Sequence, residues 1–589
     1  MSESRTTPDG DTDLDPETPP VEEIVFTPES VQQLREELVK PDELERTAFV
    51  RCAQSGRKLL VVEVRTVLDE QMRHQGRTEC RPELDLERRE IHQGIDAGWI
   101  VLHVHSHPFS DHPRFSSADT TIMPKLTGWT AQFHDNSKIL FAVIGRRGIQ
   151  ATWYHQDAEE FVSVSVTVLG GWTMDHPLEG ATNSQPAQAV QQTATEASPV
   201  ADARFDRHYR AFGKEGQRRL LATEVTIIGA GGLGSNIAEQ LARVGVGTIN
   251  LIDPDHLEQS NMPRVYGAYE ADIGVPKVEA LRLHLKRINS DLEITTQETV
   301  VEADVVATVL KRSDAAIAGL DRMRSRSFLN QFCIRHGIPY FDAGVVIDTQ
   351  KQSEDDADAG GPGTVNAMDG FLQTVIPGTT ACFDCLKRID TQQTRLERLP
   401  DEDVEVEVNE GYVEGAALTP EPAVITLNTT LAGMAVSELV NYLTGIRPPR
   451  GFLHYEALTN EISLLDARGS RRTNCPTCGE NGVLFHGEVT TEPEMAELPD
   501  TVDSDLSSIP TPEEPVGKTV EEVDSADGAA QNDDTAALMS ALASSTVGQS
   551  ATQERPASAT ESADGSQADS LSQTMSAFST YVKEVLPWN

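Results

Sequence analysis

The chain has 589 residues and carries 93 acidic against 49 basic side chains, which leaves a formal net charge of −44 at pH 7. A field of this sign repels phosphates and anionic lipid surfaces, so we expect no nucleic-acid or membrane partner. At about 150 residues per domain the length allows about two to four domains. The chain has no long apolar run and its first residues do not resemble a secretory signal, which predicts a cytoplasmic protein. The acid excess also suits a protein of a halophilic cell, because concentrated salt screens self-repulsion.

Composition divides the chain into five segments. Residues 1–24 are rich in Asp, Glu, Pro and Thr, which predicts a disordered leader. Residues 25–175 mix apolar runs with short helical stretches, as in an α/β domain. Residues 176–203 are rich in Gln, Ala, Ser and Thr, which predicts a flexible linker to a second domain at 204–485. Residues 486–589 predict a disordered acidic tail, in which residues 570–586 could form a short amphipathic helix; an accidental pattern in an unstructured end is the alternative.

The first domain contains a histidine pair at the end of an apolar run. His105 closes this run and His107 follows two residues later. Residues i and i+2 project from the same face of a strand, so the two imidazoles can converge on one ion. Asp119 can supply a third ligand and leave a fourth position free, as in a catalytic zinc site. The strands predicted in this domain cover 59–64, 99–105 and 139–145.

The string His-Ser-His-Pro followed by Ser-x-x-Asp resembles the JAB/MPN (JAMM) metalloprotease family. The resemblance implies that these two histidines and the aspartate bind zinc, that Glu45 (with Glu43 as the weaker candidate) is the general base, and that Ser116 polarises the scissile carbonyl. It also implies hydrolysis of the peptide or isopeptide bond after the C-terminal glycine of a ubiquitin-like protein. Eight residues separate His107 from Ser116, where the family has seven. A scaffold that binds ubiquitin-like proteins without cutting them is therefore an alternative for this domain.

The second domain begins with a strand–helix–strand unit. A strand is predicted at 224–231, a helix at 233–244 and a second strand at 248–253. Such a unit predicts a doubly wound, Rossmann-like parallel sheet. The alternation continues with a helix at 277–288, strands at 292–301 and 315–321, a helix at 323–336 and a strand at 339–345.

A glycine-rich turn joins the first strand of this unit to its helix. Glycines in this position let backbone amides and the helix N-terminus meet phosphates. Asp253 closes the next strand, where a carboxylate can bind ribose hydroxyls. By itself this pattern is typical of NAD, FAD and other nucleotide sites. The glycines are Gly229, Gly231, Gly232 and Gly234.

Charged residues downstream favour ATP with magnesium. Asn261, Arg264 and Lys277 follow the second strand. Cations offset the charge of a triphosphate, and Asp321 after a later strand can hold Mg²⁺. A hydride-transfer site does not need this set, which disfavours an NAD oxidoreductase.

Together with the segment Arg207-His208-Tyr209-Arg210, these residues resemble the ubiquitin-activating, ThiF/MoeB-type adenylyltransferase family. The resemblance implies that Asp253 binds ribose, that Asn261, Arg264 and Lys277 bind phosphates, and that Asp321 binds Mg²⁺. It implies a homodimer as well, because Arg210 matches the arginine that reaches the partner's ATP site. The implied reaction is attack of a C-terminal glycine carboxylate on the α-phosphate of ATP, which releases pyrophosphate and forms an acyl-adenylate.

Two Cys-x-x-Cys pairs predict a structural zinc site of four thiolates, formed by Cys382, Cys385, Cys475 and Cys478. Residues 386–474 between the pairs contain no cysteine. Ubiquitin-type activators usually carry a thioester-forming cysteine there, so we expect the adenylate to pass to another protein, either a conjugating-enzyme cysteine or a sulfur donor. Of the other cysteines, Cys52 and Cys333 are predicted to be structural and Cys80 to be exposed.

The sequence thus predicts a bifunctional enzyme in which a zinc peptidase is joined to an adenylyltransferase. The expected partner is a ubiquitin-like protein with a C-terminal glycine. An alternative within enzymes is trimming and activation of a sulfur-carrier protein for cofactor or cysteine synthesis.

Overall fold

The computed structural model describes residues 21–134, 139–170, 203–349, 365–399, 404 and 422–489. Most of the predicted leader, nearly all of the predicted linker and most of the predicted tail lie outside these residues, as does the helix predicted near the C-terminus at 570–586. The prediction that the disordered leader extends to residue 24 is wrong for residues 21–24, because Val21 is buried in an apolar core and the first strand begins at Glu23. Among the described helices, none combines the length and the apolar character needed to cross a membrane.

Within residues 21–170, seven of the described strands form a closed barrel in the order β1-β3-β2-β6-β7-β8-β9, and β4 and β5 form a separate two-stranded sheet. The barrel closes because β1 pairs in parallel with both β3 and β9. Apolar side chains such as Ile24, Leu59 and Leu102 fill its core. The strands are β1 (Glu23–Phe26), β2 (Thr47–Ser55), β3 (Lys58–Thr66), β4 (Met72–Gln75), β5 (Cys80–Pro82), β6 (Ile100–Ser106), β7 (Ile139–Ile144), β8 (Ile149–His155) and β9 (Glu160–Val168), and the helices are α1 (Pro28–Leu38), α2 (Leu84–Asp96) and α3 (Ser117–Thr130).

The second region contains an eight-stranded sheet in the order β12-β11-β10-β13-β14-β15-β16-β17. Its described strands are β10 (Glu224–Ile228), β11 (Thr248–Ile252), β12 (Glu293–Gln297), β13 (Ala315–Ala318), β14 (Tyr340–Thr349), β15 (Val365–Val375), β16 (Gly451–Glu456) and β17 (Glu461–Asp466). The helices are α4 (Asp206–Ala222), α5 (Gly232–Val244), α6 (Lys277–Ile288), α7 (Asp304–Arg312), α8 (Met323–Arg335), α9 (Thr391–Leu396) and α10 (Ile425–Thr444).

The prediction of a parallel sheet is correct for one half of this sheet and wrong for the other. Strands β10 to β14 pair in parallel, whereas β15, β16 and β17 are antiparallel to their neighbours. The short turn at 457–460 joins β16 directly to β17, and strands joined without a crossover must run antiparallel. The helix predicted at 277–288 is confirmed by α6, whereas the strand predicted at 292–301 is shorter and ends at Gln297.

The barrel and the sheet pack against each other and belong to one compact unit. Val25, Leu60 and Leu169 of the barrel region lie in the same apolar cluster as the core of the sheet. At the edge of this cluster the Ser55 hydroxyl lies 2.9 Å from Nδ1 of His336, and both side chains are buried. The two predicted domains therefore share a core.

Residues 483–489, which we call the C-terminal strap, extend from the cysteine-rich end of the sheet region onto the barrel. Phe485 of the strap lies in the shared core. The Glu488 amide donates to the Gln54 carbonyl at 2.8 Å, and its carboxylate lies 3.1 Å from Nζ of Lys311. The prediction that a disordered tail begins at residue 486 is therefore wrong for residues 486–489, because these long-range contacts are not visible in local composition.

We predict that Phe485→Ala destabilises the whole described unit. Phe485 is 1% exposed and packs in the core shared by barrel and sheet, so its truncation should lower the free energy of unfolding by about 3–5 kcal/mol. Chemical denaturation followed by circular dichroism measures the change. Leu464→Ala, at a side chain that is 53% exposed on β17, is the control and should change stability little. Equal effects of the two substitutions would contradict the shared core.

Candidate functional sites

Three potential ligands meet at one end of the barrel. His105 lies at the end of β6, His107 follows that strand, and Asp119 lies in the first turn of α3. Their ligand atoms all lie within 4.8 Å of one another. Nε2 of His105 lies 3.3 Å from the Asp119 carboxylate but is buried without a hydrogen bond of ordinary geometry. Two imidazoles and a carboxylate fit a zinc ion. A buried imidazole nitrogen without a hydrogen-bond partner also fits a metal ligand.

Glu45 is the acidic residue that accompanies this cluster. It lies just before β2, is 4% exposed, and its carboxylate lies 3.6 Å from Nε2 of His107. Burial, together with the charges of Asp119 and Glu79, raises the pKa of Glu45 to about 8. The weaker candidate, Glu43, pairs instead with Arg77 at the surface. The structure thus brings Glu45 to the cluster and leaves Glu43 at the rim.

Ser116 and Asp119 form a capping box at the start of α3. The Ser116 hydroxyl accepts from the Asp119 amide at 3.2 Å, and the Ser116 amide donates to the Asp119 carboxylate at 2.6 Å. Burial would raise the pKa of Asp119, but the nearby His105 imidazole and the hydrogen bonds with Ser116 hold it below its ordinary value. The Ser-x-x-Asp spacing therefore fixes the carboxylate that faces the histidines.

Two neighbours of this cluster were not predicted. His103 precedes His105 by two residues on β6, and its Nε2 lies 3.1 Å from the Thr47 hydroxyl. Burial lowers its pKa to about 3, so the imidazole is neutral. The alternation 103, 105, 107 was the signal available in the sequence. Cys80 was predicted to be exposed, but it is half-buried in the β4–β5 hairpin. Burial and the nearby Glu45 carboxylate raise the pKa of the Cys80 thiol.

The glycine turn between β10 and α5 is built by close backbone contact. Gly229 has a φ of 92°, in the left-handed region. A Cβ on Gly234 would lie 1.7 Å from the Gly229 carbonyl oxygen. A Cβ on Gly232 would meet Asn428 and Arg264, whereas nothing lies within 4 Å of one on Gly231. The turn is closed on the sheet side and open at Gly231, where α5 begins.

Asp253 supports this turn from the end of β11. Its Oδ2 accepts from the Ala230 amide at 2.6 Å, and its Oδ1 accepts from the Asp255 amide at 2.8 Å. Burial raises the pKa of Asp253, and the charge of Lys277 opposes that shift. The predicted ribose ligand therefore also fixes the main chain of the glycine turn.

The residues predicted to bind phosphates lie on the glycine turn and in the segment that follows β11. The Arg264 side-chain carbons lie 3.3 and 3.4 Å from the position of a Cβ on Gly232. The Lys277 ammonium pairs with Asp255 at 2.7 Å. Asn261 is buried, and its Oδ1 accepts from the Glu258 amide at 3.1 Å. Arg264 thus lies on the glycine turn, while Lys277 and Asn261 lie in the segment that follows Asp253.

Asp321 and Arg210 are the exposed members of the predicted set. Gly319, two residues before Asp321, contacts the turn, because a Cβ on Gly229 would lie 2.8 Å from the Gly319 carbonyl oxygen. The Asp321 side chain is exposed. Arg210 is 77% exposed on α4 and pairs with Asp206 at 2.7 Å.

The four predicted zinc thiols cluster in the sheet region. Sγ of Cys382 lies 3.5 Å from that of Cys475, and Sγ of Cys385 lies 3.4 Å from that of Cys478. All four are buried with their sulfur atoms within 4.8 Å of one another, an arrangement that fits a tetrahedral zinc ion. The predictions for Cys52 and Cys333 are confirmed, because both lie in apolar clusters.

Comparison with known proteins identifies the sheet region. The ThiF family matches residues 205–477. The SAMP-activating enzyme E1 of Haloferax volcanii is 34% identical over 195 residues, which cover 31% of this chain and 72% of that protein. The chain belongs to the ThiF family. We refer to residues 205–477 as the ThiF region; the barrel lies outside this match.

Two further relatives are similar to about half of the chain. The sulfur carrier protein ThiS adenylyltransferase of Bacillus subtilis is 26% identical over 279 residues, 47% of this chain and 71% of that protein. The ubiquitin-like modifier-activating enzyme 5 of Caenorhabditis elegans is 26% identical over 318 residues, 50% of this chain and 67% of that protein.

We predict opposite outcomes for two alanine substitutions in the glycine turn of the ThiF region. Gly234→Ala should prevent native folding or lower the melting temperature strongly, because its Cβ has to displace the Gly229 backbone. Gly231→Ala should melt close to the wild-type temperature, because its φ of −77° suits alanine and its Cβ points into open space. Thermal unfolding followed by circular dichroism distinguishes them. Similar melting temperatures for both variants would show that the turn is not closed in this way.

Proposed function

We propose that the ThiF region adenylates the C-terminal glycine of a ubiquitin-like or sulfur-carrier protein with ATP and Mg²⁺. The supporting observation is a glycine turn that carries Arg264 on one side and is braced by Asp253, in a chain of the ThiF family. The N-terminus of α5 suits a phosphate group, and the nearby Arg264 side chain adds positive charge. The relatives named for a sulfur carrier and for ubiquitin-like modifiers support the substrate class.

In this proposal each predicted ligand binds one part of the nucleotide or the magnesium ion. Asp253 binds the ribose, whereas Asn261, Arg264 and Lys277 bind phosphates, and Asp321 holds Mg²⁺. A carboxylate oxygen of the glycine attacks the α-phosphorus, the bond to the β-phosphate breaks, and pyrophosphate leaves with the electron pair. Positioning of the two anions and neutralisation of their charge supply the catalysis.

The proposed assembly is a homodimer in a cytoplasmic, salt-adapted protein. Arg210 is exposed on α4, and in this proposal it extends to the nucleotide of a second copy. The absence of cysteine from residues 386–474 supports direct transfer of the adenylate to a cysteine or a sulfur donor of another protein. Either acceptor is compatible with the same first step, so the sulfur-carrier alternative differs only after adenylation.

We further propose that the barrel hydrolyses the peptide or isopeptide bond after the same glycine. His105, His107 and Asp119 would hold zinc, which supplies Lewis-acid activation of water when bound. Glu45 would accept the proton, since its carboxylate lies 3.6 Å from His107, and Ser116 would orient the scissile carbonyl. The support for this activity is the convergence of the three ligands with an adjacent buried carboxylate.

Pyrophosphate exchange tests the adenylation. We expect ATP–pyrophosphate exchange that requires Mg²⁺ and a partner protein ending in glycine, and we expect Asp321→Ala to reduce it by about 10²-fold or more. Asp304→Ala, which removes an exposed carboxylate from the start of α7, is the matched control and should exchange at the wild-type rate. Exchange that is equally fast in both variants would refute the role of Asp321, and no exchange with any glycine-tailed partner would refute the activity.

Metal content and cleavage together test the barrel proposal. The wild-type chain should contain about two zinc ions by elemental analysis, one at each cluster of ligands. His105→Ala should lose one ion and all cleavage of a reporter fused to the glycine of the ubiquitin-like protein. Cys478→Ser should also lose one ion but retain cleavage, because Cys478 belongs to the four-cysteine cluster and not to the cluster of His105, His107 and Asp119. Full metal content in His105→Ala, or cleavage without metal, would contradict the assignment.

A further inference from the structure

The loop that follows His107 is bonded to the turn between β7 and β8. We call residues 108–115 the ligand loop and residues 145–148 the β7–β8 turn. The Arg146 amide donates to the Ser110 carbonyl at 2.9 Å, and the Ser110 amide donates to the His107 carbonyl at 3.0 Å. The first turn of the ligand loop is therefore tied to the barrel through the main chain.

The Arg146 side chain adds two contacts to the same loop. Its Nε donates to the Pro108 carbonyl at 2.9 Å, and its Nη2 donates to the Phe109 carbonyl at 3.0 Å. A planar guanidinium suits this task, because its donors can reach two acceptors at once. Phe109, whose carbonyl is bound in this way, stacks on the His107 ring with 5.5 Å between the centroids. Arg146 thus restrains the chain immediately after a predicted metal ligand.

Close packing keeps the ligand loop against the β7–β8 turn. A Cβ on Gly145 would lie 2.4 Å from the Ser110 carbonyl oxygen and 2.8 Å from Cδ of Pro113. For a Cβ on Gly148, at the other end of the turn, no atom of the described residues outside its chain neighbours lies closer than 3.4 Å. The loop can therefore keep this place only while residue 145 has no side chain, whereas position 148 has room for one.

Arg146 also faces the segment that carries Glu45. Its Nη2 lies 3.9 Å from the carboxylate of Glu43, two residues before Glu45. The Arg146 side chain is 50% exposed, so solvent screens this pair and its energy is small. The bonds to the two carbonyls are therefore the stronger link, and the contact with Glu43 places the same guanidinium between the ligand loop and the segment before the predicted base.

We propose that Arg146 is a positioning residue of the barrel site, which holds the ligand loop so that His107 keeps its place beside His105 and Asp119. This inference rests on the proposed zinc site and its cleavage reaction. Arg146 acts through the main chain of the loop and does not touch the metal, the substrate or the transferred proton. Contacts that orient a metal ligand are expected to set the affinity for the metal, and a loop of eight residues needs such contacts to keep its two ends in place.

The test measures the zinc affinity of the full chain by competition with a chelator. The barrel ion is the one that His105→Ala lacks, and the ion of the four-cysteine cluster is the internal reference. We expect Arg146→Ala to weaken zinc binding in the barrel by about tenfold or more, with the reference ion unchanged and a melting temperature near that of the wild type. Arg146→Lys should regain part of the affinity, because an ammonium can donate to one of the two carbonyls but lacks the fork that spans both.

Two glycine variants test the same contact without removing a charge. Gly145→Ala should also weaken zinc binding in the barrel, because its Cβ displaces the ligand loop. Gly148→Ala is the matched control and should bind zinc as the wild type does. Arg57→Ala is the control for loss of an arginine, since its side chain is 54% exposed and pairs with Glu22 beyond the far end of β2.

Cleavage at saturating zinc gives a second measurement. Arg146→Ala should lower kcat by about tenfold and leave the KM for the carrier within twofold, because the displaced groups are those of the reaction centre. Zinc affinity within twofold of the wild type in both Arg146→Ala and Gly145→Ala would overturn the proposal. Equal losses in these variants and in both controls would overturn it as well, since the effect would then not depend on the ligand loop.

Failure of the proposed cleavage has a different signature. A wild-type chain that holds zinc in the barrel but cleaves no carrier refutes hydrolysis alone, and Arg146 is then judged by zinc affinity. A wild-type chain that holds zinc only at the four-cysteine cluster refutes the barrel metal site, and the positioning role of Arg146 is refuted with it.

Discussion

The close backbone approach between the Gly229 carbonyl and the first turn of α5 is the constraint on which the nucleotide end of the sheet depends. It leaves no room for a side chain at Gly234, so β10 passes directly into α5 and the helix N-terminus stands at the sheet edge. Asp253 then binds the Ala230 amide and holds the turn in place. The positions of Arg264 and Asn428 follow, because both side chains rest on Gly232.

The two candidate sites are assembled on different physical principles. The barrel site is made of side chains from three elements, whose pKa values are shifted by burial and by one another. The site of the ThiF region is made largely of main chain, since glycines expose backbone amides at a helix N-terminus. A metal ion suits the first arrangement because imidazoles and carboxylates bind it. A phosphate suits the second arrangement because backbone amides donate to it.

Local patterns predicted those features that depend on neighbouring residues in the chain. The periodicity of 277–288 was sufficient for α6, and the spacing of His105 and His107 predicted that their imidazoles lie close together. The antiparallel half of the sheet, the contacts of residues 486–489 and the place of Asn428 were not predicted. Except for the β16–β17 hairpin, these features depend on elements far apart in sequence. The amide of Asn428, for example, reaches the glycine turn only because α10 packs against α5.

The shared core of barrel and sheet restricts how a carrier protein could move between the two proposed sites. Leu60 of the barrel and Phe485 of the C-terminal strap lie in one apolar cluster. The barrel is therefore packed against the sheet region and is not attached to it by a flexible linker alone. A carrier glycine that has been freed at one proposed site therefore reaches the other only by dissociating or by sliding its own tail across the surface. If both proposed activities hold, free carrier would exchange with the cellular pool between the two reactions. The two sites would then set the ratio of attached to free carrier, and would not pass each carrier molecule directly from one site to the other.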